Sequence, residues 1–262
     1  MIDKLKTIKC YMLDMDGTFY LSDRLLPGAL DFMDYLAENQ LDYLFLTNNS
    51  SKSKEMYTEK IRKLGFDVDK ARVFTSGEAT LIYLRKHTEY SKIYLIGTTA
   101  LEKEFREAGF ELTDYDPQAV VLGFDTTLTY EKIWKACNFI REGKPYIATH
   151  PDFNCPTETG FMPDIGSFMA MIEASTGRKA DVIIGKPYRH IVDAVVEKTG
   201  YRLDEIAMIG DRLYTDIALG GAGIKTVLVL SGETKTEDLV GSEFKPDITV
   251  NDLRDLLNQI RK

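Results

Sequence analysis

The chain has 262 residues, 44% of them hydrophobic and 28% charged, an ordinary globular composition with length for one large or two modest domains. Its net charge of −8, uninterrupted by any Lys/Arg cluster, argues against broad nucleic-acid binding, which needs a basic face to release counterions from phosphates. Three well-separated cysteines, Cys10, Cys137 and Cys155, with no Cys-x-x-Cys pair, suggest neither a disulfide framework nor a thiolate zinc site.

From the amino terminus, Met1-Ile-Asp-Lys-Leu-Lys-Thr7 lacks the apolar segment and small-residue cleavage site of a signal peptide. No later stretch approaches the roughly 20 uninterrupted apolar residues that span a bilayer. A cytoplasmic location with no membrane partner is therefore expected. Short apolar runs rich in β-branched and aromatic residues then alternate with segments of helical period, the pattern of βαβ units on a parallel sheet. The first run begins near Ile8 and ends at Leu13. A helix is expected over residues 27–38, opened by Pro27 and carrying Leu30, Met33 and Leu36. A strand ends at Leu46, and a helix over residues 54–64 follows a serine-rich cap.

In the middle of the chain residues 92–96, 119–124 and 146–149 read as strands, and residues 100–108 and 130–142 as helices. Beyond them, strands end at Ile184, Ile209 and Leu230, with a weaker one over residues 248–250. Ile191, Ala194, Val195 and Lys198 mark a helix closed by Gly200. The middle block repeats the α/β pattern and is long enough for its own core. The expected fold is α/β, with a Rossmann-like parallel-sheet core domain of residues 1–78 and 181–262 interrupted by an inserted α/β domain of residues 79–180.

Four strand ends carry the chemistry. Those at Leu13, Leu46, Ile184 and Ile209 run straight into Asp-Met-Asp-Gly-Thr, Thr-Asn-Asn-Ser, Gly-Lys-Pro and Gly-Asp-Arg. Open α/β sheets bind ligands beyond the carboxyl ends of their strands, so one shared crevice is expected.

Asp14 and Asp16 do not open a calcium loop, because Gly17 comes too early and the closing glutamate is missing. Taken alone, the pair also fits an ordinary Asp-Gly turn. After a buried strand, a carboxylate at the tip can attack an electrophile, and one two residues later can protonate the leaving group. Gly17 lets the backbone turn sharply and present N–H groups to an anion.

Thr47 and Asn48 offer a hydroxyl and an amide that can hold phosphate oxygens, or simply cap a helix. Lys186 in its Gly-Lys-Pro triplet reads by itself as a surface turn. Asp211 and Asp216, in Gly210-Asp-Arg-Leu-Tyr-Thr-Asp216, are spaced to face the same crevice. Hard carboxylate oxygens with little histidine suit Mg²⁺. Four acids and one lysine leave about −3, hostile to a phosphate dianion unless a cation and a proton offset it.

In order and context, Asp14-Met-Asp-Gly-Thr18, Thr47, Lys186 and Gly210-Asp-Arg-Leu-Tyr-Thr-Asp216 resemble the four motifs of the haloacid dehalogenase superfamily of phosphohydrolases. The insertion between the second and third motifs resembles the type C2a cap of its NagD-like subfamily. The resemblance implies Asp14 as nucleophile forming an aspartyl-phosphate, and Asp16 as general acid and then base. It implies phosphate contacts from Gly17, Thr47, Asn48 and Lys186, and Mg²⁺ held by Asp14, the Asp16 carbonyl and Asp211, with Asp216 a ligand or its neighbour.

Substrate choice is then expected from the inserted domain, in Thr149-His-Pro-Asp-Phe-Asn-Cys-Pro156 and Gly160-Phe-Met-Pro-Asp-Ile-Gly-Ser167, through His150, Asp152, Asn154 and Asp164. His150 and Asp164 depart from the usual Thr-Asn-Pro-Asp and Pro-Gly-x-Gly of the subfamily. His150 reads equally as a turn histidine, whereas an acid at Asp164 suits sugar hydroxyls. The expected partner is a small phosphorylated metabolite, above all a sugar phosphate, and the resemblance also allows a homodimer. The alternatives are a phosphotransferase or mutase using the same intermediate, a phosphatase for nucleotides or pyridoxal phosphate, and, more remotely, a non-catalytic sensor of phosphorylated ligands.

Overall fold

Cys10–Leu13 is buried along its whole length and bonded on both edges, to Ile206–Gly210 on one side and Asp42–Thr47 on the other, both parallel. An apolar strand with neither face in water belongs in the middle of a parallel sheet covered by helices. It is an inner strand of six, in the order Ile248–Val250, Lys225–Val229, Ile206–Gly210, Cys10–Leu13, Asp42–Thr47, Val73–Thr75. The structure, a computed structural model, describes residues 2–157 and 159–262.

The chain separates into two units, one of residues 1–47, 54–74 and 186–262 and the other of residues 48–53 and 75–185. The sequence placed the inserted block at residues 79–180; the second unit is wider, and takes in residues 48–53 from outside it.

In the first unit the helices Ala29–Glu38 and Leu253–Ile260 send Phe32, Met33, Leu36, Leu253 and Leu256 into one core with Tyr11, Leu13 and Val227 of the sheet. The two helices approach at Gly28, where φ is +79° and an added Cβ would lie 2.2 Å from the Arg254 nitrogen, so both backbone shape and space require glycine. Helices Lys54–Lys63 and Arg189–Thr199 also belong to the unit, the latter ending in left-handed Gly200.

The second unit has its own parallel sheet, in the order Val182–Ile183, Tyr146–Ala148, Ala119–Leu122, Lys92–Ile96, Glu111–Leu112. Its core gathers Ile96, Val120, Leu122, Tyr146 and Ala148 against Ile133, Cys137 and Ile140 of helix Tyr130–Arg141 and Ile165 and Ile172 of helix Ile165–Thr176. Helices Ser76–His87 and Thr99–Glu107 and an antiparallel ribbon, Asn154–Thr157 with Gly160–Pro163, make up the rest.

One expectation is corrected. The strand ending near Ile184 does not join the sheet that carries Leu13 and Ile209. Val182 and Ile183 pair with Ile147 and Ala148 of the second sheet instead. The shared crevice of the first unit therefore rests on three strand ends, and Lys186 enters it from a connecting segment.

In chain order the second sheet runs from Lys92–Ile96 to Glu111–Leu112 on one side, then to Ala119–Leu122 on the other. Such a reversal opens a crevice at the carboxyl end where α/β sheets take ligands. Here residues 48–53 serve as the occupant: Ser50 Oγ accepts from Phe124 N at 2.9 Å and lies 3.0 Å from Thr149 Oγ1, and Thr98 Oγ1 donates to Ser51 O at 2.8 Å. These bonds explain why a segment remote in sequence belongs to this unit. Among the described residues, no helix is long and apolar enough to cross a membrane.

Ser50→Ala would leave the Phe124 N–H and the Thr149 hydroxyl buried without this partner, which costs about 1–3 kcal/mol. Urea unfolding should show that loss; an unchanged midpoint and slope would mean that the segment contributes nothing to the unit's stability.

Candidate active site

The site starts where Leu13 ends. Leu13 sits in register between Ile209 and Phe45, so Asp14, Asp211 and Thr47 leave adjacent strands at the same sheet end. Asp14 N still donates to Ile209 O at 2.9 Å, which holds the nucleophile candidate to the sheet. The chain then turns tightly: Phe19 N and Tyr20 N both donate to Met15 O, and Gly17 N to Tyr20 O at 2.8 Å. Gly17 has φ +87°, and a Cβ there would lie 2.4 Å from Asp211 Oδ2. Asp14 is half-buried and Asp16 exposed, a placement that suits one acid held to the sheet and one at the solvent side.

Lys186 is the site's buried cation. Its Nζ donates to Asp14 Oδ1 at 2.5 Å and to Asp216 Oδ1 at 2.7 Å. Burial works against its charge, but the two carboxylates outweigh burial and hold the ammonium above the usual lysine range. Asp216 is fully buried, and its Oδ2 accepts from Arg212 N at 3.1 Å. Gly210 makes room for it, since a Cβ there would lie 2.3 Å from the Asp216 carboxyl carbon. Burial pushes Asp216 up to about 6 even though Lys186 pulls the other way.

Asp211 is held differently. Its Oδ2 accepts from Glu233 N at 2.7 Å, while its buried Oδ1 accepts no hydrogen bond from the described residues. Burial first, and then the charges of Asp14 and Asp216, push it up to about 7. One oxygen each from Asp14, Asp211 and Asp216 lie within 4.8 Å of one another. A buried carboxylate oxygen without a donor, on an acid clustered with two more carboxylates, fits a hard divalent cation with oxygen ligands, and Mg²⁺ meets that description.

The other candidates lie in the second unit. Asn48 Nδ2 donates to both oxygens of Asp152 at 3.2 Å. His150 is fully buried: its Nε2 is 3.0 Å from Asp164 Oδ1, and its Nδ1 is 3.2 Å from Thr149 Oγ1 and 3.4 Å from Ser76 Oγ. Asp164 also caps helix Ile165–Thr176, accepting from Ile165 N at 2.7 Å. Asp152 is half-buried and Asn154 exposed on the ribbon.

Sequence reasoning passed over Arg212, Ser231, Gly232 and Glu233. The available signal was Ser231-Gly-Glu-Thr234, one more polar, glycine-bearing segment after an apolar strand.

A family model described as haloacid dehalogenase-like hydrolase matches residues 11–111, and a second one, HAD-hydrolase-like, residues 183–256. The acid sugar phosphatase of Staphylococcus aureus is 34% identical over 260 residues, covering 98% of this chain and all of that one. The chain belongs to the haloacid dehalogenase-like hydrolases. Among solved structures of this family, 4-nitrophenylphosphatase from Thermotoga maritima superimposes with a TM-score of 0.94 at 50% identity, covering 98% of this chain and 99% of that one. NagD from Escherichia coli K-12 does so with 0.88 at 33%, covering 94% and 97%. The hydrolase is thus NagD-like in fold along nearly its whole length, as the resemblance of its motifs implied.

The raised carboxylates set a pH dependence. Their folded pKa values lie above the unfolded value near 3.9, so in that interval the cation-free fold binds more protons than the unfolded chain. The stability these groups contribute is complete below about pH 4 and is lost as pH rises through about 6 and 7. In EDTA, wild type should therefore lose more Tm between pH 5.5 and 8 than Asp211→Asn does, and Mg²⁺ should restore wild type at pH 8. Parallel Tm-against-pH curves for the two proteins would contradict the assignment.

Proposed function

We propose that this hydrolase is a Mg²⁺-dependent phosphomonoesterase of the cytoplasm, acting on small phosphorylated metabolites and on sugar phosphates first among them. The observation that carries the reading is the Asp14 carboxylate held by buried Lys186 beside the open Asp211 oxygen. The names borne by relatives, acid sugar phosphatase and 4-nitrophenylphosphatase, support it and suggest the substrate class.

Asp14 attacks phosphorus through a carboxylate oxygen, forming the aspartyl-phosphate as the bond to the leaving oxygen breaks. Asp16, exposed on the turn two residues on, gives that oxygen its proton. It then takes a proton from the water that attacks the aspartyl-phosphate, releasing inorganic phosphate and restoring Asp14. Lys186 fixes the Asp14 rotamer through the 2.5 Å contact. Thr47, at the end of the neighbouring strand, the Gly17 turn and Asn48 supply phosphate contacts. Asp14, the Asp16 carbonyl, Asp211 and Asp216 would hold Mg²⁺, which supplies the positive charge that lets a phosphate dianion approach these acids. The protein's own part is mainly positioning and charge balance.

In the second unit, Asp152 and Asn154 are the more accessible candidates and offer polar atoms suited to sugar hydroxyls. His150 and Asp164, buried against each other, give that loop its shape.

A panel of phosphorylated metabolites, assayed with Mg²⁺ and with EDTA, tests class and substrate together. Asp14→Asn should lower kcat by more than about a thousandfold while leaving thermal unfolding cooperative. Turnover that survives either EDTA or this substitution would sink the mechanism. Release of inorganic phosphate should persist when acceptor sugars are added; phosphoryl transfer to the sugar instead would indicate a transferase.

A further inference from the structure

The cation-site reading explains why Asp211 has one open oxygen, but not what aims it. Three bonds and a glycine do so, all from the turn that follows strand Lys225–Val229. Glu233 N donates to Asp211 Oδ2 at 2.7 Å, and Thr234 N donates to the Asp211 carbonyl at 3.2 Å. Ser231 Oγ donates to the Gly17 carbonyl at 2.8 Å, tying the same turn to the loop of Asp14 and Asp16. Gly232 lies flat against the carboxylate, where a Cβ would stand 2.0 Å from Oδ2 and 2.5 Å from the carboxyl carbon.

The turn is braced from outside as well. Tyr214 Oη donates to Glu233 Oε1 at 2.7 Å, Arg212 Nε lies 2.9 Å from Glu233 Oε2, and Lys235 Nζ donates to Gly232 O at 2.9 Å. The braces come from residues flanking Asp211 and from the turn's own far end, so the segment cannot shift without breaking several of them.

We propose that the turn of Ser231, Gly232, Glu233 and Thr234 is the positioning clamp of the divalent-cation site. It engages one oxygen of Asp211, leaves the other open on an acid of the cluster, and ties the Gly17 carbonyl to the same turn. This inference rests on the Mg²⁺ reading above and extends it to residues that touch neither substrate nor reacting atoms. Ligating carboxylates are oriented by such outer partners, whose loss typically weakens metal affinity 10- to 100-fold. The backbone donor to Asp211 survives most substitutions, so the glycine and the serine are the informative positions. A side chain at Gly232 must rotate the carboxylate or displace the turn, and loss of the Ser231 hydroxyl frees the Gly17 loop.

Calorimetric titration of the whole protein with MgCl₂, without substrate, tests the clamp. Gly232→Ala should raise the Mg²⁺ Kd at least about tenfold, and Ser231→Ala should raise it by a smaller factor that Ser231→Thr restores. The Mg²⁺ concentration for half-maximal turnover should move in the same ratio, and excess Mg²⁺ should recover much of the lost rate. A merely architectural turn would lower Tm without moving Kd. If Gly232→Ala does not fold, the Ser231→Ala and Ser231→Thr pair decides alone. Wild type that binds Mg²⁺ alongside variants within twofold of its Kd overturns the clamp and leaves the phosphatase reading standing. Wild type that neither binds Mg²⁺ nor loses turnover in EDTA overturns both.

Discussion

A single ammonium group organises the first unit's active end. Lys186 is taken out of water almost completely and placed between two carboxylates. An isolated charge at that depth would be expensive, and it persists because two acids share it. The acids depend on it equally: without Lys186, Asp14 and Asp216 would repel each other in a region of low dielectric. The positions of both loops follow from this pairing. The sheet supplies the base on which Asp14 and Asp211 stand, and glycines at 17, 210 and 232 supply the space to bring side chains that close.

The pairing is deliberately short of neutral. One lysine cannot balance Asp14, Asp211 and Asp216, and Asp211 is the acid of the three that Lys186 does not touch. Its response is a raised proton affinity and an Oδ1 that accepts no hydrogen bond among the described residues. A side chain in that state takes a proton or a metal ion, depending on pH and on what the solution offers. On the Mg²⁺ reading proposed above, local stability is exchanged for a site that a cation would complete, a common arrangement at functional centres. The same deficit makes the site selective in what it attracts. A phosphate dianion is repelled by bare carboxylates, whereas a cation that repaired the deficit would also make approach favourable.

How much of this could be read in advance differed by level. Asp14 and Asp211 stood out because each follows an apolar run directly, Asp216 through its spacing from Asp211, and Lys186 only through the order of all four motifs; those local features survive without tertiary information. Which sheet a run joins does not. Val182 and Ile183 look like any short buried strand, yet their hydrogen bonds go to Ile147 and Ala148, a choice made by long-range packing that periodicity cannot express. Helix Ser76–His87 was hidden for another reason: its buried face is Ser76, Gly77, Ala79 and Thr80, with only Leu81 and Leu84 as large apolar residues. Small residues allow close packing but leave no hydrophobic stripe to detect. The helix at Ile165–Thr176 was masked by its own beginning, where Asp164 and Gly166 look like loop residues until Asp164 is seen to cap the first turn.

The two parallel sheets also answer one geometric problem in different ways. Any such sheet collects loops, backbone N–H groups and space at the carboxyl ends of its strands, most of all where strand order reverses. In the first unit that end is lined with acids and kept for chemistry. In the second, Ser50 and Ser51 fill it, supplying the hydroxyl and carbonyl partners that Phe124 N, Thr149 and Thr98 would otherwise lack. This sheet end is thus occupied by the chain itself. Thr47 ends a strand of the first sheet and Asn48 begins the segment that fills the second. The Thr-Asn-Asn-Ser stretch, which reads as one phosphate-holding motif in the sequence, is therefore divided at a single peptide bond between residues anchored by two different sheets.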